Sequence, residues 1–128
     1  MIVLDTHAWM WSVNDMPELS TKARDIVMHA DRVGIASASL IEICMLVAKE
    51  RVILNVPLRE WLLTATNQAN IEILPVTTGI AIDAFNLPGV FHKDPADRQI
   101  VATARVWGAE LVTRDQKIQE YPHVDSIW

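Results

Sequence analysis

Apolar positions along the chain fall into two kinds of segment that alternate. Short apolar runs at residues 1–4, 33–37, 71–76, 110–113 and 124–128 read as strands. The first, M-I-V-L, is unbroken, as suits a strand buried on both faces of a parallel sheet. It is expected to be central, because later helix–strand units can be added on either side of it. Between these runs lie segments with helical patterning and recognisable ends. A short helix is expected over 7–13, and Ser20 is placed to cap a helix that runs to about residue 31. Ser39 is expected to begin a largely apolar helix, and Pro57 to be the first residue of another. Thr77 or Thr78 caps a helix through residue 85, and 86–93, with Pro88 and Gly89, is a loop. Asp94-Pro95 opens a strong helix that Gly108 stops, and 114–120 is a turn with a short helix. Strands alternating with helices imply one domain, residues 1–128, of three layers: a parallel sheet of about five short strands with helices on both faces.

Composition narrows the setting more than the function. At 128 residues and 51% hydrophobic, with five Trp, the chain can bury a sizeable core. No apolar run reaches the ~20 residues of a membrane span. The first residues lack the basic region and cleavage site of a leader. The lone Cys44 lies in an apolar helix pattern and reads as a small core residue, so a reducing cytoplasm is expected. The net charge of −5 argues against a nucleic-acid partner only if the sixteen acids are spread evenly. Bound cations would cancel that charge locally if several acids share one site.

Taken singly, each acid has a local explanation. Asp5 can cap the helix after the first strand. Glu42 stands three residues after Ser39, the spacing of a capping box. Asp94 precedes Pro95 as an N-cap, Asp97 can serve the helix dipole, and Asp115 in T-R-D suits a turn. Taken together they all lie just past strand ends or at the starts of the following helices. In a parallel sheet those points share one edge, where open α/β sheets place their ligands. Carboxylates gathered there would repel by ~4 kcal/mol for a pair ~4 Å apart at an effective dielectric of ~20, so a cation or protons must offset them. All-oxygen donors suit Mg²⁺ or Mn²⁺. The chemistry such a site supports is attack of metal-activated water on a phosphodiester.

The segments D-T-H-A-W-M-W, S-A-S-L-I-E-I, H-K-D-P-A-D-R-Q-I-V-A-T-A and L-V-T-R-D, in this order, resemble the PIN-domain superfamily. Within it the chain is similar to the VapC-type toxin ribonucleases of bacterial toxin–antitoxin pairs, over essentially its whole length. The resemblance implies a PIN-like α/β/α fold and a metal-dependent endoribonuclease that stops translation by cutting a structured RNA, tRNA or rRNA. It also implies a cognate antitoxin that covers the acidic groove, and a homodimer. By position, Asp5, Glu42, Asp97 and Asp115 match the metal-binding catalytic acids, with Asp5 and Asp97 the principal ligands. Asp94 matches an auxiliary acid, and Thr6 and Thr113 match hydroxyls that support the site. Ala96 departs from the pattern, which usually has a bulky aromatic there.

Lys93, Arg98 and Arg114, and with them Lys117, are candidates for contacts to RNA phosphates. His92 stands beside Asp94 on a loop, either solvated or near a phosphate, and His7 reads as a structural residue, with contact to substrate or metal as the alternative. Trp9, Met10 and Trp11 read mostly as core, with at least one facing outward as a protein interface; Trp61 and Trp107 read as core. A haloacid-dehalogenase-type phosphatase would need Asp-x-Asp at the first strand, where the third residue is His7. A receiver domain would need an early acidic pair, and a dinucleotide binder a glycine-rich first turn. The remaining alternatives are a catalytically silent PIN-fold binding module and a DNA nuclease of the same fold.

Overall fold

In the computed structural model, which describes residues 1–128, all five strands pair in parallel in the order β3-β2-β1-β4-β5. The strands are β1 (Ile2–Leu4), β2 (Val33–Ala36), β3 (Ile71–Leu74), β4 (Glu110–Val112) and β5 (Ser126–Ile127). β1 is central, as its unbroken apolar run requires: Val3 lies opposite Gly34 on one side and Leu111 on the other. Successive β1 side chains point to opposite faces of the sheet, and each face has its own core. Ile2 and Leu4 join Trp9, Ile35, Ile43 and Trp61 beneath α1 (Thr6–Val13), α2 (Thr21–His29), α3 (Ser37–Ala48) and α4 (Leu58–Thr66). Val3 joins Leu74, Ile100, Val101, Leu111 and Ile118 beneath α6 (Pro95–Trp107) and α7 (Gln116–Gln119). The short α5 (Thr78–Ala84) packs on α6 through Ile80, Ala84 and Ala102. The architecture is the expected three-layer α/β/α sandwich.

Most helix ends follow the expected local chemistry. Ser20 Oγ accepts the Ala23 N–H at 3.0 Å, and Thr77 Oγ1 accepts the Ile80 N–H at 3.2 Å. Asp94 caps α6 with Pro95 behind it, and Gly108 ends that helix at φ +62°, a conformation that favours glycine. Other ends moved. α4 takes Pro57 as its N-cap rather than its first residue. α3 begins at Ser37, with Ala36 at the N-cap and no side-chain cap. Ser39 is therefore inside the helix and fully buried, where its Oγ accepts a hydrogen bond from the Thr6 hydroxyl at 3.0 Å. The capping box is absent, and Glu42 is free of it.

Two apolar expectations are corrected. Trp107 is 41% exposed rather than core. It sits in the last turn of α6 at the amino-terminal edge of the sheet, where Arg32 precedes β2, and the Arg32 guanidinium lies 5.7 Å from its ring centre. Cys44 is only half-buried and belongs to neither core. Trp61 is core as expected: its ring meets Trp9 edge-on at 5.3 Å, and its Nε1–H donates to Asn14 Oδ1 at 2.8 Å.

Candidate active site

Because every strand runs the same way, the segments after β1, β2 and β4 and the start of α6 open on one edge of the sheet. A cavity of about 500 Å³ lies there, lined by Asp5, Thr6, His7, Trp11, Glu42, Asp94, Asp97, Arg114 and Asp115. All five acids singled out from the sequence thus share one wall. Each is delivered by a different local device.

Asp5 ends β1 and caps α1, its Oδ1 accepting the Ala8 N–H at 2.8 Å. Its Oδ2 accepts a short hydrogen bond from the Thr113 hydroxyl. Thr113, fully buried at the end of β4, also accepts the Asp115 N–H at 3.0 Å, so one hydroxyl ties two acids together. Asp115 in turn caps α7 through the Lys117 N–H at 2.8 Å. Thr6 is buried and anchors α1 to α3 through Ser39, the helix that carries Glu42. Both threonines hold acid-bearing segments in place.

The closest group is Glu42, Asp94 and Asp97, whose carboxylate oxygens lie within 4.8 Å of one another. Asp94 is both a helix cap, accepting the Asp97 N–H at 3.0 Å, and a member of this trio. Asp5 and Asp115 stand in the same wall but outside the trio. Burial pushes the Asp97 carboxyl up to about 7, with Asp94, Asp115, Glu42 and Asp5 adding repulsion in that order. Burial raises Asp5 as well, against the opposing hydrogen bonds from Thr113 and Ala8. Both shifts mark carboxylates short of positive charge. Their hard oxygen donors, crowded on one wall, suit a Mg²⁺ or Mn²⁺ ion.

Several neighbours differ from expectation. His92 is not a solvated loop residue. Its ring packs on Phe91 at 4.5 Å between centres, and its buried Nε2 lies 3.1 Å from Asp97 Oδ2. The contact lacks the alignment of a hydrogen bond. His7 is exposed on the cavity wall instead of serving structure, and Trp11 lines the same wall rather than a separate interface. Arg98 is removed from the RNA candidates. Its Nε donates to the Ala84 carbonyl at 2.8 Å, and Nη1 to those of Phe91 and His92 at 3.0 and 3.1 Å. Lys93 is exposed outside the cavity wall, and Lys117 faces a separate hollow beside Tyr121. Only Arg114 brings a permanent positive charge to the wall.

Three consequences are testable by thermal melting in EDTA. Arg98→Ala frees the Ala84 carbonyl at the end of α5 and those of Phe91 and His92 in the loop before Asp94, and should cost ~2–3 kcal/mol. Lys93→Ala should stay within ~0.5 kcal/mol of wild type. At Asp5, Asn keeps an oxygen for the Ala8 N–H and can donate to Thr113, whereas Ala leaves both groups without a partner. Both remove the charge, so Asp5→Ala should be ~2 kcal/mol less stable than Asp5→Asn. Equal stability would mean that the cap contributes nothing.

The chain is similar to known proteins in sequence and in fold. Residues 2–124 match the family model described as the PIN domain. The chain is 34% identical over 122 residues to Ribonuclease VapC22 of Mycobacterium tuberculosis (strain ATCC 25618 / H37Rv), covering 95% of this chain and 92% of that one. The fold is similar to the crystal structure of VapBC2 from Rickettsia felis bound to a DNA fragment from their promoter. There the TM-score is 0.72 at 18% identity, over 99% of this chain and 98% of that chain. A toxin–antitoxin complex from Klebsiella pneumoniae is similar at a TM-score of 0.68 and 19% identity, over 97% of this chain and 95% of that one.

Proposed function

The chain belongs to the PIN-domain family, and on that premise we propose that it is a metal-dependent endoribonuclease, the toxin of a toxin–antitoxin pair. The observation that carries this reading is the single cavity in which Asp5, Glu42, Asp94, Asp97 and Asp115 converge, none of the expected acids being absent. A silent binding module would have no need of five acids in one wall. The ribonuclease named among its relatives supports RNA over DNA as substrate.

Asp5 and Asp97 would be the principal ligands of a Mg²⁺ or Mn²⁺ ion, with Glu42 and Asp115 completing the site directly or through water, and Asp94, which lies with Glu42 and Asp97 in the closest group, as an auxiliary acid. Bound there, the ion would supply activated water for attack on phosphorus and neutralise charge on the leaving oxygen. The residues set the conditions for this. Thr113 fixes Asp5 and Asp115 relative to each other, and the α6 cap fixes Asp94 relative to Asp97. His92 Nε2 lies 3.1 Å from Asp97 Oδ2, and a bound cation would favour the ionised form of the Asp97 carboxyl. The wall offers no Ser or Cys, and its one hydroxyl, on Thr6, is engaged with Ser39, which leaves water as the attacking group. Arg114 is positioned to meet a backbone phosphate that the acids would otherwise repel.

A cognate antitoxin would silence such a site by covering the cavity, and a homodimer of the toxin in the cytoplasm completes the reading. The toxin–antitoxin complex of the same fold supports the partner. The test is incubation of purified protein with total tRNA and rRNA in Mn²⁺, Mg²⁺ or EDTA. Discrete fragments formed only with metal support the proposal. No cleavage in either metal, with no metal binding by calorimetry, would leave a PIN-shaped binding module.

A further inference from the structure

Helix α1 does more than present Asp5. His7 and Trp11 are four residues apart on it and so share one face, and that face is the cavity wall. Trp11 is the single apolar residue in a wall otherwise made of acids, a hydroxyl, a histidine and an arginine. Its ring is fixed on three sides. His7 lies tilted against it at 5.5 Å, Trp128 meets it edge-on at 5.9 Å, and the Arg114 guanidinium carbon is 5.7 Å from its centre. It remains only half-buried.

An aromatic surface is of no use to a metal ion, and water gains nothing from it. The ligand that fits is flat, π-rich and attached to an anion, with the flat part on the indole and the anion between Arg114 and the acids' cation. A nucleotide within an RNA strand has that shape. A base can reach an aromatic side chain only when it is unpaired and splayed from its helix. We propose that Trp11, flanked by His7 and Arg114, is a stacking platform for an unpaired nucleobase next to the cut phosphodiester. The proposal rests on the ribonuclease reading and adds to it the residues that would hold a base beside the cut. Stacking tolerates any base, so this subsite selects for strand state more than for sequence.

The test compares two fluorescein-labelled RNA dodecamers by anisotropy in Ca²⁺, a hard ion that replaces Mg²⁺ so that the strands stay intact, one of mixed sequence and one with abasic riboses at every position. The abasic strand keeps the phosphates and loses the bases. Wild type should bind the mixed strand roughly 10- to 100-fold tighter than the abasic one. Trp11→Leu should abolish that difference while binding the abasic strand as wild type does, and Trp11→Phe should restore most of it. His7→Ala, at an exposed position with little risk to folding, should narrow the difference severalfold. Variants that retain the full preference for the base-bearing strand, or that weaken both strands equally, would overturn the platform. The two readings separate cleanly. Trp11-dependent binding by a wild type that cuts nothing leaves the platform standing and removes the ribonuclease. Cleavage and binding that Trp11→Leu leaves unchanged do the reverse.

Discussion

Asp97→Asn is expected to lower RNA cleavage roughly a thousandfold or more, the scale on which a unit of cooperating catalytic groups loses activity when one member is removed. Asn keeps the shape of the side chain and an oxygen that can face His92 Nε2, now 3.1 Å away. It removes the negative charge at the point where three carboxylates lie within 4.8 Å. The same loss is expected for Glu42→Gln, because without the capping box its carboxylate has no local partner on α3. Gel assays of fragment formation, with Mn²⁺ binding measured by calorimetry, give the answer. Asp97→Asn that still cuts RNA and still binds Mn²⁺ would reduce these acids to helix caps and dipole partners.

The second large effect is on stability, and its sign follows from the Asp97 carboxyl. In the folded chain that carboxyl is raised from 3.8 to about 7. The folded state therefore holds a proton that the unfolded state has released at any pH between these values. Stability from this group is complete below ~4 and is lost as pH rises through ~7. At ~1.4 kcal/mol per tenfold change in acidity, the upper bound is ~4 kcal/mol. The Asp97 side chain is 21% exposed, and water screening brings the expected effect to roughly 2 kcal/mol. Burial of Asp5 acts in the same direction. In EDTA the wild type should then melt roughly 4–8 °C lower at pH ~8 than at pH ~5. Asp97→Asn should lose most of that slope and be the more stable protein at the alkaline end. Added Mn²⁺ should reverse the wild-type trend, since the ion takes the place of the proton. A wild-type melting temperature that rises with pH in EDTA would contradict the crowding of charge at this site.

Much of this molecule follows from its sequence because the relevant physics is local. An unbroken M-I-V-L run can only be a strand covered on both faces, and β1 is the central strand. Asp94-Pro95 and Gly108 bound α6 through backbone angles and a cap that involve only adjacent residues. Once the strands are parallel, acids placed after their ends share one edge, and Asp5, Glu42, Asp94, Asp97 and Asp115 do line one cavity. Tertiary structure decided which partner each group has. Ser39 stands where a capping serine belongs, yet the Thr6 hydroxyl thirty-three positions away draws it into the core. Arg98 is adjacent to Asp97, yet carbonyls of the loop before α6 and of the end of α5 take its donors. Trp107 keeps its helical stripe but lies at the sheet's edge, whereas Trp11 is brought to the cavity between His7, Arg114 and Trp128. Periodicity and capping set segments and their ends, since both are decided within a few residues. Which donor meets which acceptor across the layers depends on packing between segments far apart in the chain, and no local pattern records it.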